Sequence, residues 1–140
     1  MLHKQFYSEL GKLLYSIADV DGTISKPERE ALRELVRKEL APAEKNTDEF
    51  GTDAAFYTEI EFDILEDTNS EPDVAFESFI SYIENHKTAI DKRMLLTTRN
   101  IATRLADAFH HTNIKEQELL KVLNKKLDAL LKEKNHHELR

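Results

Sequence analysis

Ala18-Asp19-Val20-Asp21-Gly22-Thr23-Ile24-Ser25-Lys26-Pro27-Glu28 is the stretch on which the fold of this chain turns. Before it, Phe6, Leu10, Leu13, Leu14 and Ile17 recur every three or four residues, the spacing that gathers apolar side chains on one face of a helix. Gly22 predicts the end of that helix, because glycine enters the left-handed conformation that closes a helix without a clash from Cβ. Ser25 and Glu28 form a capping-box pattern. In such a box the serine oxygen accepts from the first turn and the glutamate reaches back to the serine N–H. Leu32, Leu35, Val36 and Leu40 then supply the apolar face of a second helix, which Ala41-Pro42 ends.

The same patterning continues outward from this corner. A polar connector from Ala43 to about Thr52 leads to a third helix expected over Asp53 to Asp67, with Phe56, Ile60, Ile64 and Tyr57 facing inward. The alternation Glu59-Ile60-Glu61-Phe62-Asp63-Ile64 also fits a strand, but a lone strand would have no partner. Ser70-Glu71-Pro72-Asp73 repeats the capping chemistry ahead of a fourth helix carrying Phe76, Phe79, Ile80 and Ile83 to about His86. Ile90, Met94, Ile101, Leu105 and Phe109 define a fifth helix. Asn113 and Glu116 cap a sixth, whose apolar face runs from Leu119 through Leu123 and Leu127 to Leu131. The expected fold is all-α, a compact bundle of about six helices forming one domain over residues 1–133, with 134–140 a frayed tail.

Composition narrows the chemistry. The chain has 140 residues, three Gly, three Pro and no cysteine, which argues against an all-β domain and excludes disulfides, thiolate metal sites and cysteine nucleophiles. Its formal net charge is −7, and every charged side chain from Asp48 through Glu84 is acidic. Such a section repels phosphate backbones and attracts cations or basic proteins, so a protein partner is expected and nucleic acid is not. No run approaches the ~18 apolar residues of a membrane span. Charges near the N-terminus interrupt the apolar stretch a signal peptide requires, so a cytoplasmic location is expected.

The corner also overlays a calcium-binding loop. With Gly22 as the sharp-turn glycine, Asp19 and Asp21 fall at the third and fifth loop positions and Glu28 at the twelfth. The first position, normally an aspartate ligand, is Ile17, which belongs to the apolar stripe. Two accounts stand side by side. Asp19, Asp21 and Glu28 form a weak site for a divalent cation such as Ca2+ or Mg2+, or they need no metal because Gly22 closes one helix while Ser25 and Glu28 cap the next.

These residues also resemble a known family. Ala18 through Ser25 followed by Glu28 is similar to the A-x-x-D-G-x-I-S-x-x-E element of the tellurite-resistance TerB-like proteins. A weaker echo follows in Ala108-Phe109-His110-His111-Thr112-Asn113-Ile114 and Glu118, where Ile114 and Glu118 repeat the spacing of Ile24 and Glu28. His111 and Thr112 replace the aspartate and glycine there. The resemblance implies a small cytoplasmic helical protein of two weakly related halves, without catalytic activity. It further implies a role in stress response or tellurite resistance, and acidic residues that bind divalent metal. Asp21 and Glu28 carry the family's acidic positions, with Asp19 beside them.

Other patterns are weaker. Gly51-Thr52-Asp53 ahead of a helix could receive an anion, but a turn at Gly51 and a cap at Thr52 account for it in an acidic setting. His110 and His111 fit a helix C-terminus, whose dipole favours a cationic ring. Glu59 and Asp63 share a helix face and could serve as an acid–base pair, but a carboxylate-metal enzyme would need the paired Glu-x-x-His elements that the chain does not supply. The expectation is therefore a non-enzymatic binding module. The alternatives are a structural interaction domain without metal and, behind it, a carboxylate-metal enzyme.

Overall fold

The computed structural model describes residues 2–19, 24–40, 48–109 and 114–138. Among these are six helices and no strand: α1 (Leu2–Ala18), α2 (Lys26–Leu40), α3 (Asp48–Asp67), α4 (Pro72–Asn85), α5 (Lys92–Phe109) and α6 (Ile114–Glu138).

The bundle is built around α1. Leu13, Leu14, Tyr15, Ser16, Ile17 and Ala18 are consecutive and all buried, so this helix is enclosed around its circumference at its C-terminal end. It packs on α3, α4, α5 and α6, while α2 lies across α3 and α5. Enclosure leaves no water for the serine hydroxyl in the run, and Ser16 Oγ donates to the Leu13 carbonyl at 2.6 Å.

α1 and α3 meet closely at Gly11. A Cβ there would lie 2.6 Å from the Thr58 carbonyl oxygen and 2.9 Å from Glu61 Cβ, so a larger residue would push the two helices apart. Beside this contact, Thr58 Oγ1 donates to the Tyr7 carbonyl at 2.7 Å. Tyr15 and Phe62 pack edge to face with ring centres 5.8 Å apart.

α3 departs from expectation in two ways. It begins at Asp48, so Gly51 and Thr52 lie inside the helix instead of forming a turn and cap before it, and no helix N-terminus follows Gly51 to receive an anion. Its buried face is Ala55, Thr58 and Phe62, with Leu65 partly buried. Phe56, Ile60 and Ile64, expected inside, are 54%, 40% and 49% exposed. The close crossing at Gly11 is the physical reason: the backbone of Thr58 and Phe62 meets Gly11, which turns Ala55, Thr58 and Phe62 toward the bundle and leaves Phe56, Ile60 and Ile64 on the opposite side.

The helix ends follow local chemistry. Asn69, at φ 52°, takes the left-handed position closing α3. Ser70 N–H donates to the Leu65 carbonyl and Asn69 N–H to that of Glu66, the paired bonds of a Schellman motif. Ser70 is therefore not the cap of α4, as its pattern had suggested. Glu71 holds that position without a side-chain cap bond, and Pro72 occupies the first turn. Asp91 caps α5 through Oδ1, which accepts from Met94 N–H at 2.8 Å. α6 continues to Glu138, past residue 133 where the expected domain gives way to its tail.

Candidate functional site

The first corner is built from the two helices that flank it. Ser25 N–H donates to Glu28 Oε1 at 2.9 Å, and Glu28 N–H donates to Ser25 Oγ at 3.2 Å. This reciprocal pair is the expected capping box. Ile17 is buried and Ile24 packs against the core. Asp21 and Gly22 lie outside the described residues, as do His110, His111 and Asn113.

Asp19 follows the last turn of α1 and keeps a helical bond, its N–H donating to the Tyr15 carbonyl at 2.8 Å. Tyr15 reaches back to it: the phenol lies 3.0 Å from Asp19 Oδ2 and 2.7 Å from the Ser70 carbonyl. Burial, followed by the hydrogen bond to Asp19, raises the Tyr15 phenol far above its ordinary value. The tyrosine therefore stays protonated and ties the first corner to the α3–α4 turn. Among the described residues, no three His, Asp or Glu side chains form a metal-binding group.

Asp19 opens instead onto a cleft of about 720 Å³, within the ~300–1,000 Å³ typical of binding clefts. Its walls are the α3–α4 turn, the start of α4 and the start of α6, with Phe76 and Leu119 among its lining. Among the described residues five carboxylates line it, from Asp19, Glu71, Asp73, Glu77 and Glu118, against one cation, Lys115. Glu71 and Asp73 lie at the positive end of α4, where a carboxylate is stabilised by the helix dipole. Asp19 has the opposite setting. It stands at the negative end of α1, which has no basic residue in its last turn, and the Tyr15 phenol offsets part of that cost.

Comparison with protein-family models, curated proteins and solved structures finds no match.

The remaining acidic candidates of α3 are engaged with α2. Arg29 grips Glu66 through two bonds, with Nε at 2.8 Å from Oε1, and its guanidinium is raised chiefly by that hydrogen bond. Arg33 meets Asp63 at 3.2 Å and Arg37 meets Glu59 at 3.2 Å. Glu59 and Asp63, the pair with acid–base spacing, thus belong to an antiparallel ladder of ion pairs. On the far side, Lys126 on α6 binds Glu84 on α4 at 2.5 Å and holds that carboxyl below its ordinary value.

Sequence patterning singled out Asp19 and Glu118 but did not bring them together, and it left Glu71, Asp73 and Glu77 undistinguished within the acidic section. The available signal was the unbroken acidity from Asp48 to Glu84. Converting that signal into a cleft required the α4–α6 packing.

Proposed function

We propose that this chain is a non-enzymatic, TerB-like helical binding module that recruits a basic segment of a partner protein through the cleft between α4 and α6. The observation that carries the proposal is the convergence of Asp19, Glu71, Asp73, Glu77 and Glu118 on one cleft, beside one lysine among the described residues. Clustered carboxylates on low-dielectric walls concentrate cations and basic side chains. Asp19 weighs most, because the helix dipole disfavours a carboxylate at its position and the cleft supplies a reason for it. In this proposal the TerB-like resemblance supplies the biological setting, a stress response such as tellurite resistance, and a weak divalent-cation site at Asp19, Asp21 and Glu28.

A second reading, a protein-interaction domain without metal, is favoured by the bonds that Glu28 makes to Ser25 and Asp19 to Tyr15. Calorimetry with calcium, magnesium and manganese separates the two. Heat that disappears in Asp21→Asn supports the cation site, and no heat at millimolar metal leaves the metal-free module. For the cleft itself, the probe is a fluorescent Lys/Gly peptide followed by anisotropy. Glu71→Gln/Asp73→Asn/Glu77→Gln is expected to weaken binding by about tenfold or more, with affinity falling as salt rises. Equal binding by the triple variant, or no binding to the native chain, would overturn the proposal.

A further inference from the structure

α3 is apolar on two opposite sides. Its inner side, Ala55, Thr58 and Phe62, is buried against the rest of the bundle. At 100° per residue, Phe56, Ile60 and Ile64 fall on the far side of the helix and form a stripe about 12 Å long at 1.5 Å per residue. All three are 40% exposed or more. Phe56 extends the stripe sideways onto Tyr57 through an edge-to-face contact at 6.1 Å. Isolated exposed apolar residues are ordinary, but three in register on one helix make a contiguous patch of the kind that marks interaction surfaces.

We propose that this outer stripe docks an amphipathic helix of a partner protein whose apolar face is flanked by Lys and Arg. The stripe's i, i+4, i+8 spacing is that of helix-on-helix recognition, in which anchors on the partner follow the same period. Charge fixes the sign of the partner. α3 carries no Lys or Arg along its whole length. On one flank the carboxylates Glu59 and Asp63 are matched by Arg37 and Arg33, whereas Glu61 and Asp67 make no ion pair with any described residue.

The same charge disfavours a second copy of this chain as the occupant. A two-fold dimer uses the same patch on both subunits, and here it would set one acidic helix against another. Three side chains along about 12 Å are also far fewer than the ~20–30 residues a side of a stable interface, which suits one helix laid along α3. This surface is separate from the acidic cleft between α4 and α6.

The test uses three synthetic amphipathic helices of about 18 residues, five turns, with leucine on one face and lysine, glutamine or glutamate on the rest. Amide chemical-shift mapping locates each on the full chain, and Ile60→Lys removes the centre of the stripe. The Leu/Lys peptide is expected to shift Phe56, Ile60 and Ile64, to bind about tenfold more tightly than the Leu/Glu peptide, and to lose about tenfold in Ile60→Lys. Circular dichroism establishes that the variant keeps its helix content. A second exposed variant, Ile64→Lys, repeats the measurement should the first unfold. The Lys/Gly peptide directed at the cleft is expected to bind Ile60→Lys normally, so failure here leaves the cleft untouched. Three outcomes would overturn the inference: shifts confined to Glu71, Asp73 and Glu77; equal binding of the lysine and glutamate peptides; or concentration-dependent dimerisation of the native chain that Ile60→Lys abolishes.

Discussion

α1 and α3 lie side by side, both carry apolar side chains on more than one face, and they use them differently. In α1 the apolar residues on every side find neighbours, because α3, α4, α5 and α6 surround it. α3 lies at the rim and has α1 and α2 as its neighbours. It buries Phe62 and leaves Phe56, Ile60 and Ile64 to solvent. The difference teaches that apolar content alone does not assign a residue to the core. Position in the bundle does, and at the rim a second apolar face becomes a surface.

Substitutions break this comparison in a definite order. Phe62→Ala removes a buried ring packed on Tyr15 and is expected to cost about 3–5 kcal/mol of unfolding free energy, measured by urea denaturation. Gly11→Ala closes the gap between α1 and α3. The gain of ~1 kcal/mol in helix propensity is outweighed by overlap with the Thr58 carbonyl, and a net loss of about 1–3 kcal/mol is expected from the same measurement. Ser25→Ala deletes the hydroxyl of the first corner's capping box and is expected to cost about 1 kcal/mol. Arg33→Ala opens the α2–α3 ladder, whose side chains there are about 40% exposed. At most ~1 kcal/mol is expected, shrinking as salt is added.

Much of the fold was legible in the sequence, and the reasons are local. Six helices follow from apolar periodicity. The first corner follows from Ser25 and Glu28, which act on each other three residues apart. The helical state of residues 59–64 follows from the lack of any second strand. What could not be read locally was which side of α3 faces inward. Phe56, Ile60 and Ile64 have a core-like spacing, while the true inner face contains Ala55, Thr58 and Phe62, set by the close approach of Thr58 and Phe62 to Gly11, more than forty positions away in the chain. A sequence signal for the correct side exists in hindsight: Arg29, Arg33 and Arg37 on α2 match Glu66, Asp63 and Glu59 on α3 in reverse order. That match sets the flank of α3 that meets α2 and so turns Phe62 inward.

The candidate site was less legible for the same reason. Asp19 stood out because it borders the corner motif, and Glu118 because it repeats the spacing of Glu28. Glu71, Asp73 and Glu77 join them through the meeting of α4 with α6, a contact between helices distant in sequence. Asn69 supplies the left-handed turn at the cleft's edge without being glycine, so no glycine marks that turn.

The most direct test of the difference between α1 and α3 is the urea unfolding midpoint of Phe56→Ser/Ile60→Ser/Ile64→Ser. Serine resembles isoleucine and phenylalanine in helix propensity, so the variant mainly removes the outer apolar stripe. If that stripe is surface, the unfolding free energy should stay within about 1.5 kcal/mol of the native chain, since three exposed substitutions each change it by ~0.5 kcal/mol or less. A loss of several kcal/mol, on the scale of Phe62→Ala, would place the stripe in the core and contradict the assignment of α3's outer face to a partner.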